Sequence, residues 1–160
     1  MMETVEQATA MPDKPGLSFF RELLSTAKPA APICTALNFQ LSAANPGQIE
    51  FTGWPLLEFA NPSGIVHGGY LAVVLSSAMS CAVHTTLNEG ETYTTTFIGI
   101  HLTRALKPGQ GSITATGAVV HRSRRGATAE GRILDHSGRL IAHGTTTCVV
   151  VPARAAGGDV

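Results

Sequence analysis

The chain has 160 residues, of which 44% are hydrophobic and only 14% charged. The charged share lies well below the ~25% of an average domain, and eleven Lys+Arg balance eleven Asp+Glu. Extended disorder is therefore excluded for most of the chain, as is a global basic field for nucleic acid or an anionic membrane. One domain is expected, with roughly two thirds of its extended surface buried, and part of the apolar surplus is expected in a subunit interface.

Cys34, Cys81 and Cys148 are scattered and form no CxxC or Cys/His pair at metal spacing, a pattern of reduced thiols in a cytoplasmic protein. The six histidines include no HxxxH or HxH pair, so no metal site is expected. The first residues carry acids and lack an apolar core segment, unlike a signal peptide. The stretch from Ile65 to Val83 is interrupted by His67, two glycines and three serines, too polar for a membrane span.

Residues 1–16 are polar with two prolines and are expected to be disordered, as is the tail 152–160, leaving a single domain over 17–151. Leu17 to Leu24 has helical spacing. Two strands are expected at Cys34–Ala43 and Gln48–Gly53, joined by Asn45-Pro46-Gly47. Trp54 to Ile65 reads as a loop. Val66 to His84 lacks proline and is apolar nearly all round, the mark of a buried helix. The period then changes. Thr92 to Leu106 alternates Thr96/Ile98/Ile100/Leu102 against Thr95/Phe97/Gly99/His101. Three further strands follow at Ser112–Arg122, Ala127–Asp135 and Arg139–Val151, with turns at Arg124-Arg125-Gly126 and His136-Ser137-Gly138. A short helix, two strands, one long buried helix and four long antiparallel strands make an α+β layer arrangement with a meander sheet. Long strands covering one central helix suggest a hot-dog fold.

The run from Asn61 through Pro62-Ser63-Gly64 to His67-Gly68-Gly69, opening the long helix, resembles the signature of hot-dog thioesterases of the PaaI (phenylacetate-degradation) type, relatives of 4-hydroxybenzoyl-CoA thioesterase. Tyr93-Thr94-Thr95, Leu102-Thr103-Arg104, the segment Gly117 to His121, the segment Arg124 to Gly131 and the segment Asp135 to Thr145 agree in order, over about Pro32 to Val151. The resemblance implies hydrolysis of an aromatic or small/medium acyl-CoA by a cytoplasmic homodimer or homotetramer, with no cofactor, nucleic acid or membrane partner. It implies Gly68 as backbone donor to the thioester carbonyl, Gly69 as second, and His67 and Asn61 as residues that shape the site. A helix start supplies unpaired donors and a positive dipole end, and glycine permits close approach. Gly68-Gly69 also fit tight helix–sheet packing, and His67 an ordinary cap.

The chain departs from that family at the helix acid. Seven residues after the second glycine stands Ser76, and no Asp or Glu occurs between Glu58 and Glu89. A serine hydroxyl cannot replace a carboxylate base unaided; Ser76 and Ser77 also fit close helix packing. Relatives often carry an acid where this chain has Phe97, while Thr95 keeps a hydroxyl where some hold the attacking water. Three accounts stay open: Glu58 supplies the acid; His67 or His101 acts as base with Ser76 positioning water; or the protein binds acyl-CoA with little hydrolysis. Arg124 and Arg125 fit either a solvated turn or a contact to coenzyme A phosphates. Tyr70 fits packing or a wall of the acyl pocket. A hydratase lacks its helix acid–histidine pair, and a repressor lacks a basic DNA-reading segment.

Overall fold

The computed structural model describes residues 16–153. The expected disorder at the two ends falls outside these residues, except that Gly16 opens the first helix and Pro152 closes the last strand. Helix α1 (Gly16–Thr26) turns Phe20 fully inward. It stops where Ser25 and Thr26 return their hydroxyls to the Glu22 carbonyl and Ala27 takes a left-handed φ of 51°. Cys34 does not begin a strand. Pro32 sets the helical φ at the start of a short helix α2 (Pro32–Ala36), which buries Cys34, and β1 (Phe39–Asn45) begins only after Asn38, also at φ 51°. The turn at Gly47, φ 71°, leads into β2 (Gln48–Gly53).

The loop that follows contains a 3-10 turn, Leu57–Phe59, and an isolated bridge between Ala60 and Val66. Helix α3 (Gly68–His84) starts two residues later than its apolar pattern suggests. Val66 donates its N–H to the Leu106 carbonyl, and His67 is the cap, with φ −62° and ψ 135°. Strands β3 (Glu91–Leu102), β4 (Ile113–Arg122), β5 (Gly126–Asp135) and β6 (Leu140–Pro152) complete a six-stranded antiparallel sheet. Its order is β1-β2-β4-β5-β6-β3. The strands are therefore not a simple meander: β3 crosses to the far edge, where β6 is its one partner among the described residues. The β5–β6 turn is held by Asp135, whose carboxylate accepts from Ser137 and Arg139. These bonds, with the Ser137 hydroxyl foremost, hold its carboxyl well below the usual range.

Helix α3 lies against one face of this sheet, with Val74, Leu75, Ala78 and Met79 meeting Phe51, Ile133 and Ile141. The close approach depends on two paired glycines of neighbouring strands, Gly117 and Gly131; Gly144, next in the row, instead leaves room for the Gly99 carbonyl of β3. A Cβ on Gly117 would lie 2.2 Å from the Ala78 carbonyl oxygen, and one on Gly131 would lie 2.7 Å from the Met79 side chain. The opposite side of α3 stays half-exposed at Ala72, Val73, Ser76, Ser77 and Ser80, so the helix is not buried all round in one copy.

Candidate active site at the start of helix α3

The Asn61–Gly64 loop is organised by Asn61. Its Oδ1 accepts the N–H groups of Ser63 (2.9 Å) and Ile65 (3.3 Å), and its backbone N–H donates to the Ile65 carbonyl. Its side-chain amide NH₂ has no partner among the described residues. The loop is tied to the helix start by the His67 N–H, which donates to the Phe59 carbonyl at 2.8 Å.

At the first helical turn the two glycines have different roles. The Gly69 N–H donates to His67 Nδ1 at 2.8 Å, so Gly69 is not available as a second donor. The Gly68 N–H has no partner among the described residues, the state of an uncapped helix donor. Beside it is a cavity of about 260 Å³, whose lining includes Asn61, Gly68, Leu71, Leu102, Arg104 and Leu106. A Cβ on Gly68 would lie 2.6 Å from Leu102 Cδ1, so only glycine leaves Leu102 in place against this backbone.

The cap also fixes what His67 can do. With Nδ1 accepting, a neutral ring carries its proton on Nε2, which leaves no free basic nitrogen. His101 is likewise unsuited as a base here. It stacks on His143 with centroids 5.0 Å apart, on the sheet face away from α3, whereas its neighbour Leu102 reaches Gly68. Glu58 is exposed on the 3-10 turn and does not line the cavity. No carboxylate among the described residues lines it.

Strand β3 breaks its sequence alternation. A bulge between Thr95 and Phe97 lets Thr96 bond the Thr147 carbonyl. Thr95 thereby faces the helix side, its hydroxyl 3.6 Å from Cys148 Sγ, together with Ile98, Ile100 and Leu102. Phe97 turns to the opposite face and lies over Gly99, apart from Thr95.

The remaining expected site residues are dispersed. Tyr70 is buried in the core, stacked on Phe59 at 4.9 Å, with its unpartnered hydroxyl near Gly53; burial pushes that hydroxyl to about 12. Ser77 donates to the Val73 carbonyl at 2.8 Å. The Ser76 hydroxyl has no partner among the described residues and lies eight residues from Gly68, about 12 Å along the helix. Arg124 and Arg125 are exposed at the β4–β5 turn, where Val150 N–H donates to the Arg125 carbonyl. This is the Thr94 end of β3, roughly 26 Å along the strand from Leu102. The cavity residues Leu102, Arg104 and Leu106 were not assigned from sequence, and only the Leu-Thr-Arg run closing the strand pointed toward them.

One long helix across an antiparallel sheet, with an open backbone donor at its N-terminus, defines a hot-dog fold of the thioesterase kind. The chain belongs to the thioesterase superfamily, whose family model matches residues 63–142, and its class of activity is thioester hydrolysis. Among solved structures it is similar to the PaaI protein of Escherichia coli from the phenylacetic acid degradation operon (16% identity, TM-score 0.75, 86% of this chain and 96% of that one). It is similar to a mutant of the phenylacetic acid degradation protein PaaI from Thermus thermophilus (25%, TM-score 0.68, 74% and 97%). A third similar structure is a hypothetical thioesterase protein from Streptococcus pneumoniae with coenzyme A (24%, TM-score 0.66, 74% and 89%). No curated protein matches the chain in sequence.

Proposed function

We propose that the protein is a cytoplasmic acyl-CoA thioesterase of PaaI type, acting on an aromatic or small to medium acyl group. The observation that carries this is the unpartnered Gly68 N–H opening onto a mostly aliphatic cavity. A thioester carbonyl placed there gains a backbone donor and the positive end of α3 as its oxygen becomes an oxyanion. The coenzyme A in the Streptococcus pneumoniae relative supports a CoA thioester as substrate.

The site needs a second copy of the chain. Strand β3 is an edge strand of 12 residues with Ile98 46% and Leu102 54% exposed, an edge suited to pairing. Ser76 is too far along α3 to meet its own Gly68. Antiparallel pairing of two β3 edges would set the Thr94 end of one copy, with its Arg124 and Arg125, beside Leu102 and Gly68 of the other. We infer a homodimer or a dimer of dimers in which those arginines meet CoA phosphates. Three free thiols support a reducing compartment, and burial pushes the Cys81 thiol up to about 12.

Gly68→Pro tests the donor, with Gly68→Ala as the control that adds the same Cβ against Leu102 but keeps the N–H. His67 already has the extended backbone that a following proline requires, and proline is tolerated at the first helical position. Hydrolysis of phenylacetyl-CoA or benzoyl-CoA should fall at least ~10²-fold in a folded variant; retained activity would remove Gly68 from the mechanism. A monomeric mass by light scattering at micromolar concentration would overturn the shared site. One observation favours a second reading, a slow hydrolase that chiefly holds its ligand: no carboxylate lines the cavity. Tight CoA-thioester binding with little turnover by the wild type would select it.

A further inference from the structure

The cavity beside Gly68 contains a charge that the proposed hydrolysis does not use. Arg104 lines it and has no ion-pair or hydrogen-bond partner for its guanidinium among the described residues, where the arginine ion pairs are Arg122–Glu91 and Arg139–Asp135. Its backbone is fixed on both sides. The N–H groups of Thr103 and Arg104 both donate to the Ile141 carbonyl, at 2.9 and 3.3 Å, and the Thr103 hydroxyl donates to the same oxygen at 3.0 Å. Two residues later the Leu106 carbonyl accepts from Val66 at 2.8 Å. Arg104 therefore projects from a segment stitched between β6 and the loop leading to α3.

We propose that Arg104 determines substrate choice at this site by binding an anionic group of the thioester ligand, a carboxylate or a phosphate; this rests on the thioesterase reading above. The balance of groups in the cavity supports it. Its side-chain charge is a single guanidinium, a group that only donates. Asn61 has spent its oxygen on the loop and offers only its NH₂. Gly68 offers an N–H. No carboxylate among the described residues answers these donors; Leu71 and Leu106 are buried beside them, while Leu102 and Arg104 stand at the exposed rim of the cavity. Arg104 is exposed, so beside a neutral acyl group its guanidinium keeps only water, whereas an anion is met by a planar fork of donors. At about 260 Å³ the cavity holds only part of a CoA thioester. The anion is thus either a terminal carboxylate on the acyl group or a phosphate of the CoA arm.

The test compares wild type, Arg104→Met and Arg104→Lys on four thioesters: phenylacetyl and succinyl groups, each carried on CoA and on N-acetylcysteamine. The expected result is a fall of about 10- to 100-fold in the kcat/KM ratio of an anionic substrate to the neutral phenylacetyl-N-acetylcysteamine in Arg104→Met, chiefly through KM. Arg104→Lys should recover part of it. A fall in the CoA-to-N-acetylcysteamine ratio for phenylacetyl identifies phosphate. A fall in the succinyl-to-phenylacetyl ratio on N-acetylcysteamine identifies carboxylate. If Arg104→Met changes neither ratio, the proposal is overturned. If wild type hydrolyses none of the four, the thioesterase reading fails first, and Arg104 is then judged by calorimetric binding of CoA and of succinate. Equal affinities in wild type and Arg104→Met would overturn it there too.

Discussion

The two ends of α3 are finished in opposite ways. At its C-terminal end, His84 is buried among Phe19, Phe20 and Tyr93, with ring centroids 5.1 to 5.7 Å away, beneath α1. Thr85 donates its hydroxyl to the Ala82 carbonyl and accepts the Gly47 N–H, and Leu87 receives Gly16. At the N-terminal end, one donor is capped by His67, the other faces a cavity, and the cap itself is exposed. A helix C-terminus favours a cation, yet burial lowers His84 to about 4 and keeps it neutral near pH 7. The protein thus satisfies one end from within, where packing supplies stability, and leaves at the other an open donor beside a cavity, the place proposed above for the thioester.

The largest effect should come from restoring a carboxylate on the half-exposed side of the helix. Ser76→Asp should raise hydrolysis of phenylacetyl-CoA or benzoyl-CoA by ~10²–10⁴-fold, the usual worth of a general base, while Ser76→Asn gives no gain. A fast wild type that loses little on Ser76→Ala would instead point to a base elsewhere.

The closed end should show in the pH dependence of stability. His84 titrates near 6.5 when unfolded and about 4 when folded, so the unfolded chain binds more protons between these values. Its contribution is complete above about pH 6.5 and falls as pH drops toward 4, by about 3 kcal/mol at roughly 1.4 kcal/mol per unit. Thermal unfolding across this window should flatten in His84→Phe. Asp135 acts in a lower window, since its carboxyl lies below the ordinary 3.8 in the fold. A wild-type Tm that is level from pH 6.5 to 4.5 would contradict the buried neutral ring.

Between the two ends, Gly117→Ala should cost about 1–3 kcal/mol, because the new methyl meets helix backbone that cannot rotate away. Gly138→Ala, at an open turn with φ 80° and nothing within 4 Å, should cost about 1 kcal/mol or less. Equal losses would mean that the paired glycines do not set the helix–sheet distance. The smallest effect belongs to His67→Ala. Loss of its cap should lower stability by about 1 kcal/mol, measured by urea unfolding, without abolishing hydrolysis if Gly68 is the donor.

The open end was more legible in sequence than the surroundings that complete it. Asn61, His67 and Gly68 lie within eight residues, so local chain geometry alone brings them together at a helix start. The position of Gly68 as an unpartnered donor follows from that motif, but the capture of Gly69 by His67 does not, because it depends on a side-chain rotation. Leu102 and Arg104 line the cavity from a strand end more than thirty residues away, and the Leu-Thr-Arg run that marks this strand end does not by itself say what it packs against. Thr95 and Phe97 were placed on one face by strict alternation. The bulge at Thr96 separated them, since one extra residue reverses every side chain before it relative to those after it.

The sequence by itself determined the local units: the α1 and α3 helices, the hairpins at Gly47 and Gly138, the β-rich C-terminal half and the helix-opening motif. Each follows from side-chain period and turn chemistry acting over a few residues. Tertiary structure decided that Cys34 lies in a helix, that β3 crosses to pair with β6, that His84 is buried, and that His101 faces away from Gly68. These outcomes depend on which distant surfaces bury one another, a balance of packing and backbone pairing that no short window of sequence contains.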